Sequence, residues 1–166
     1  MPVLHLAKRG LLIREAELQL LKSPAEAIML EVVTKHLGAV QFEINARNHR
    51  IYSDQPLENG GFDEGMTPPE LMLASLGACA GYYAVDYLKR SNLLLDGICV
   101  RTTAEKVPGP PRLDNIHIEL ECPGAVQERH QKGLVEAVRK CLIHNTLLHM
   151  PNIHVDLIVP AVRNAA

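Results

Sequence analysis

Hydrophobic and polar positions alternate with a period of two in three stretches of the chain. Val40, Phe42 and Ile44 alternate with Gln41, Glu43 and Asn45. Ile98, Val100 and Thr102 share one face, and Ile116, Ile118 and Leu120 alternate with His117, Glu119 and Glu121. This period predicts strands, with Gly38 as the bend of an early hairpin and "VPGPPRLDN" (107–115) as the loop of a later one. Residues 54–66, "DQPLENGGFDEGM", are rich in turn formers and predict a loop. The period becomes helical over 67–90 and again over 125–142, where Leu134, Val138, Cys141 and Leu142 stand at i, i+4, i+7 and i+8. A last strand is predicted from Ile153 to Val159. Residues 10–22 have helix-forming composition and stop at Ser23-Pro24 without tracing one apolar stripe. The expected organisation is an N-terminal extension, 1–25, followed by a single α+β domain, 26–166.

The stretch "TPPELMLASLGACAGYYAVDYLKR" is the most informative. Thr67 suits an N-cap, Pro68 the first helical position, and Glu70 stands three residues after Thr67, which is the capping-box pattern. From Leu71 to Val85 there is no charge. That run is shorter than the roughly 18 to 20 residues a bilayer requires, so a core helix is expected and no membrane partner. Small or apolar residues all round predict burial on every side. Ala74, Gly77, Ala78 and Gly81 form a small-residue stripe, and each interior glycine costs about 1 kcal/mol relative to alanine. Close approach of a second copy of the helix would offset that cost, so a homodimer is expected.

Composition narrows the function. With 166 residues, 47% hydrophobic and 22% charged, one globular unit is expected. A net charge of −2 without a basic, aromatic-rich face argues against nucleic acid. No apolar stretch follows a basic start, so a cytoplasmic location is expected. Cys79, Cys99, Cys122 and Cys141 include no Cys-x-x-Cys pair and are too few for a secreted disulfide scaffold. Cys79 lies too deep in its helix for the positive N-terminus to activate it. A free cysteine is commonly a small buried hydrophobe, and sequence alone leaves open whether Cys79 and Cys141 are core or chemistry. His144, three residues after Cys141, forms one close Cys-His pair; His149 and His154 fall beyond it. That is short of a four-ligand zinc pattern, so no metal is expected. Hydrolase elbows, phosphate loops and dinucleotide fingerprints are absent, and no cofactor is expected.

The segments "ENGGFDEGMTPPELMLASLGACAGYYAVDYLKR" and "GLVEAVRKCLIHNTLL" resemble the OsmC/Ohr family, the osmotically inducible protein C and organic hydroperoxide resistance proteins. The resemblance runs over roughly Ala27 to Pro160. It implies an intertwined α+β homodimer, with antiparallel sheets around a long buried central helix and two active sites at the subunit interface. It also implies a thiol peroxidase in which Cys79 attacks the hydroperoxide and Cys141 resolves the sulfenic acid as a disulfide. The substrate would be a small-molecule organic hydroperoxide, and the reductant an external dithiol such as a lipoyl protein. Phe62, Tyr82 and Tyr83 are candidate pocket walls, with ordinary core packing as the competing reading.

The chain departs from the family's clearest peroxidases, which carry an Arg that supports the thiolate and a Glu ten residues before the first cysteine. Here that position is Pro69, and Glu70 is nine residues before Cys79. Nine residues turn an ideal helix by about 900°, which puts Glu70 on the face opposite Cys79. Lys35, Arg47 or Arg50 are the cations available as thiolate support, with Glu70 as the candidate carboxylate partner, for which the capping box is the competing and favoured reading. The chain thus resembles the broader OsmC-like branch more closely, and the alternative reading is a non-catalytic dimeric binding protein with an apolar interfacial pocket.

Overall fold

The computed structural model describes residues 28–159. The 1–25 extension lies outside the described residues.

The early alternating region forms a three-stranded antiparallel sheet, β1 (Val33–Gly38), β2 (Gln41–Ala46) and β3 (His49–Ser53), in that order. Ile44 pairs with Thr34 on one side and Ile51 on the other. Two short turns join the strands, with Ala39 and Arg47 at φ 45° and 54°. Residues 54–66 follow as the expected loop, with one 3-10 turn at Leu57–Asn59.

Helix α1 (Pro68–Arg90) begins where the capping box predicts. Glu70 Oε2 accepts from both the N–H and the hydroxyl of Thr67, each at 2.7 Å. By length and composition alone α1 would pass for a membrane span. Its packing against the rest of the domain makes it the core helix instead.

β4 (Cys99–Pro108) and β5 (Pro111–Glu121) form a separate two-stranded antiparallel sheet. The loop expected over 107–115 is much shorter. Lys106 pairs with Leu113, Val107 with Arg112 and Pro108 with Pro111, so only Gly109 and Pro110 turn. Prolines at strand ends remove no ladder bond that a two-stranded ribbon needs, and the ribbon accommodates what reads as a loop signal.

The helix expected over 125–142 is two helices, α2 (Glu128–Val138) and α3 (Leu142–Leu148). After Val138 the N–H groups of Lys140 and Cys141 turn to carbonyls three residues back, Ala137 and Val138, at 3.1 and 2.9 Å. Cys141 then leaves helical geometry, with ψ at 129°. The apolar periodicity runs through this break because Leu134, Val138 and Cys141 are all buried.

The predicted final strand is not formed. Residues 151–159 make no ladder among the described residues, and Ile153, Val155, Leu157 and Ile158 are exposed. A strand exists only with a neighbour to pair with, and among the described residues none is paired with this segment.

The core gathers Ala80, Ala84 and Leu88 of α1 with Ala125, Leu134 and Val138. Each buried Leu or Val contributes about 1.5–3 kcal/mol. α1 packs against β4 and α2, with further contact to α3 and β5. It is not covered on every side: Ala74, Ser75, Ala78 and Tyr82 form an exposed stripe. The small-residue stripe is therefore divided between two uses. A Cβ on Gly77 would stand 2.8 Å from Thr102 Oγ1, and one on Gly81 would stand 3.5 Å from Val100, so Gly77 lets α1 approach β4 within the same chain. Ala74 and Ala78 remain bare. On α2, a Cβ at Gly133 would collide with the Tyr87 hydroxyl, which is hydrogen-bonded to His130 Nδ1 at 3.2 Å.

Candidate active site

Cys79, in the middle of α1, and Cys141, between α2 and α3, are joined as a disulfide across 62 residues. Their Cα atoms are 5.9 Å apart, within the usual range for such a bond. The break after α2 matters here, because it turns the Cys141 thiol toward α1. The two positions differ in access: Cys141 is 0% exposed, whereas Cys79 is half-buried. Cys141 Sγ also accepts the N–H of His144 at 3.5 Å.

A cavity of about 290 Å³ is lined by Leu76, Ile116, Ile118, His144, Leu147 and Leu148, and neither cysteine of the disulfide lines it. Leu76 is nearly one turn before Cys79 on α1, and His144 is one turn after Cys141. Asp114 and Asn115 add a polar edge to the apolar walls.

The other candidate residues are distributed elsewhere. Glu70 is engaged in the cap of α1, where hydrogen bonds from the Thr67 hydroxyl and N–H hold its carboxyl below the usual range. Arg50 sits on β3, its Nε 3.2 Å from Glu43 Oε2. Tyr52 first, and Glu43 second, push its guanidinium pKa further up. Arg47 is exposed in the β2–β3 turn. Among the described residues, neither arginine has a hydrogen bond or ion pair to Cys79 or Cys141. Phe62 is exposed in the loop; Tyr82 is exposed and Tyr83 half-buried, their rings edge to face at 5.3 Å.

Of the remaining cysteines, Cys99 is exposed on the outer face of β4. Cys122 is half-buried, and burial pushes its thiol up, away from reactivity.

One residue that sequence reasoning did not single out organises the loop before α1. Asp54 is 1% exposed; its Oδ1 accepts from Gln55 N–H at 2.8 Å. Its Oδ2 accepts from the N–H groups of Phe62 and Glu64 at 3.0 and 3.2 Å. Removal from water pushes the carboxyl up, but the N–H bonds from Gln55, Glu64 and Phe62, with the Gln41 amide, outweigh it and hold it below its ordinary value. The loop closes so tightly that a Cβ on Gly61 would overlap the Gln55 carbonyl. An Asp leading a Gly-rich turn segment is the signal that could have found it.

The sequence profile described as OsmC-like protein matches residues 61–156, more than half of the chain. The chain belongs to the OsmC-like family. None of the curated proteins matches it. Solved structures do. A protein of Psychrobacter arcticus 273-4, provisionally assigned as osmotic stress induced and detoxification response, superposes with a TM-score of 0.66 at 18% identity, over 74% of this chain and 91% of that one. An OsmC-like protein from Mycoplasma pneumoniae gives 0.61 at 20% identity, over 74% and 89%. An organic hydroperoxide resistance protein OsmC from Legionella pneumophila gives 0.55 at 15% identity, over 74% and 93%. At these identities the likeness establishes the OsmC-like α+β fold, with its two antiparallel sheets and central helix.

Proposed function

We propose that the protein is a thiol-dependent peroxidase that reduces organic hydroperoxides to alcohols. The observation that carries this reading is the Cys79–Cys141 disulfide, with one half-accessible and one wholly buried position. Cys79, as thiolate, attacks the distal oxygen of ROOH. The O–O bond breaks, alkoxide leaves and takes a proton to become the alcohol, and Cys79 becomes a sulfenic acid. Cys141 condenses with it, expelling water, and an external dithiol restores both thiols by exchange. A lipoyl dithiol suits the apolar surroundings. Alkyl hydroperoxides are favoured over hydrogen peroxide, because burying each CH₂ contributes about 0.8 kcal/mol.

The working form is a homodimer in the cytoplasm, in which a second copy covers Ala74, Ala78 and Tyr82 and pairs with the free 151–159 segment. Arg47, Arg50 or Lys35 of either copy then supplies the positive charge that supports the Cys79 thiolate.

A second reading is a non-catalytic binding protein of the same fold. It is favoured by the engagement of Glu70 with Thr67 and of Arg50 with Glu43, which leaves Cys79 without a charged partner among the described residues.

Intact mass separates the two. Reduced protein treated with one equivalent of cumene hydroperoxide should lose about two mass units and yield a Cys79–Cys141 crosslinked peptide. An unchanged mass, or oxidation confined to Cys99 or a methionine, would overturn the peroxidase reading and leave the binding protein.

A further inference from the structure

The Cys141–His144 spacing, which carried no metal site, has another use. Cys141 is the N-cap of α3 and His144 the third residue of that helix. In a capping box the side chain at the third position reaches back toward the N-cap residue. Here a thiol stands where Ser or Thr is usual, and an imidazole where Glu is usual. Half of the pair is made, since the His144 N–H donates to Cys141 Sγ at 3.5 Å. The imidazole makes no hydrogen bond among the described residues, and His144 lines the cavity that also takes in Leu76 of α1.

Cys141 has a proton-transfer problem that this placement answers. It is 0% exposed, so its thiol has no direct route to bulk water, and a thiol in apolar surroundings ionises reluctantly. Resolution nevertheless requires that its proton leave. Around the cavity α1 supplies Leu76 and no charge. β5 supplies Asp114, whose carboxylate accepts from Arg112 at 2.6 Å and from Asn115 N–H at 2.9 Å. α3 supplies His144 as its single titratable group. Imidazole is the side chain suited to take up and return a proton near neutral pH.

We propose that His144 is the acid–base partner of Cys141, an assignment that rests on the peroxidase reading. During resolution the His144 imidazole takes the Cys141 proton, and the thiolate attacks the Cys79 sulfur. The S–S bond forms as the S–O bond breaks, and the departing hydroxide takes the proton back from His144 to become water. Cys141 is oxidised and the Cys79 sulfenic sulfur is reduced. On regeneration an external thiolate attacks Cys79, the accessible sulfur. Cys141 leaves as a thiolate and is protonated by His144, and the second thiol of the dithiol then displaces Cys79.

The test follows disulfide closure after one equivalent of cumene hydroperoxide, by quenched-flow intact mass with dimedone as a sulfenic acid trap, in wild type, His144→Ala and His144→Gln. His144→Gln retains the backbone bond to Sγ and most of the side-chain volume. Hydroperoxide consumption in the first turnover is followed alongside, so that a slower attack by Cys79 is read separately from slower closure. Closure should slow by about 100-fold or more in both variants, with dimedone adduct accumulating on Cys79. The wild-type closure rate should level off once the imidazole is neutral, whereas the variant rates continue to climb until the thiol itself ionises. Added imidazole should restore part of the His144→Ala rate. Closure at the wild-type rate would overturn the assignment, and so would slow closure with the wild-type pH profile and no rescue, which marks a merely structural role. If wild type consumes no hydroperoxide, the peroxidase reading fails instead. The assignment is then decided by dithiothreitol reduction of the same disulfide, which both variants should slow to the same extent.

Discussion

The two halves of the molecule are covered in different ways. Around α1, the strands β4 and β5 and the helices α2 and α3 bury Leu76, Ala80, Ala84, Leu88, Leu134, Val138 and Cys141 within one chain. The β1–β3 sheet buries almost nothing apolar: Val33, Leu37, Phe42 and Ile51 are all exposed, and so is the apolar segment from Ile153 to Val159. The disulfide belongs to the first half and is assembled without help. The second half, with the bare stripe of α1, has apolar surface and strand edges that the described residues leave uncovered and unpaired. The Cys79–Cys141 disulfide is thus a property of the fold of one chain, whereas completion of its surroundings is a property of the proposed assembly.

Substitutions in each half put this contrast to the test. The largest effect belongs to Cys79→Ser, which should reduce hydroperoxide turnover to background in a coupled dithiol assay while leaving the circular dichroism spectrum intact. Gly133→Leu attacks the packed half directly, because its side chain must displace the Tyr87 hydroxyl and its bond to His130. Overpacking of this kind costs about 1–3 kcal/mol, and a lowered urea midpoint would report it. Ala78→Glu probes the open stripe: sedimentation velocity should shift from dimer toward monomer while the Cys79–Cys141 crosslink still forms on oxidation. A crosslink lost together with the dimer would show that the two halves are not independent.

Asp54 sits at the junction of the halves and gives a pH-dependent test. Its carboxyl is held below its ordinary value in the folded chain. Its contribution to stability is therefore complete above the unfolded value, near about pH 4, and is lost as the pH falls through the lower folded value. Asp54→Asn should flatten that acid limb of the stability profile, measured by urea unfolding across pH. Cys99→Ser, on an exposed strand face, should change neither turnover nor stability; a slower variant would bring a third cysteine into the cycle.

Legibility in the sequence followed the range of the interactions involved. The α1 start was readable because the capping box lies within four residues and is realised atom for atom by Thr67 and Glu70. The alternating strands were readable because the side-chain period reports one buried face. The ends of β4 and β5 are not legible, because prolines punctuate loops in general, yet are harmless at the ends of a two-stranded ribbon. The break before Cys141 was invisible because Leu134, Val138 and Cys141 keep facing one core through it. The predicted 153–159 strand failed because alternation reports a face to bury and says nothing of the neighbour that would pair with it. For the site, the motifs around both cysteines pointed to the family, but a separation of 62 residues cannot by itself state that two sulfurs meet. The junction role of Asp54 and the position of His144 along a cavity depend on loop closure and on α3, which no local pattern encodes.

The length of the loop closed by the disulfide has a thermodynamic consequence. A crosslink spanning 62 residues removes conformational freedom from the unfolded chain worth about 4 kcal/mol on the chain-entropy account. Oxidation and reduction of Cys79 and Cys141 therefore change the resistance of the whole domain to unfolding as well as the state of two sulfurs. In the proposed cycle the form that awaits peroxide is the more easily unfolded one, and each turnover tightens the fold until a dithiol loosens it again.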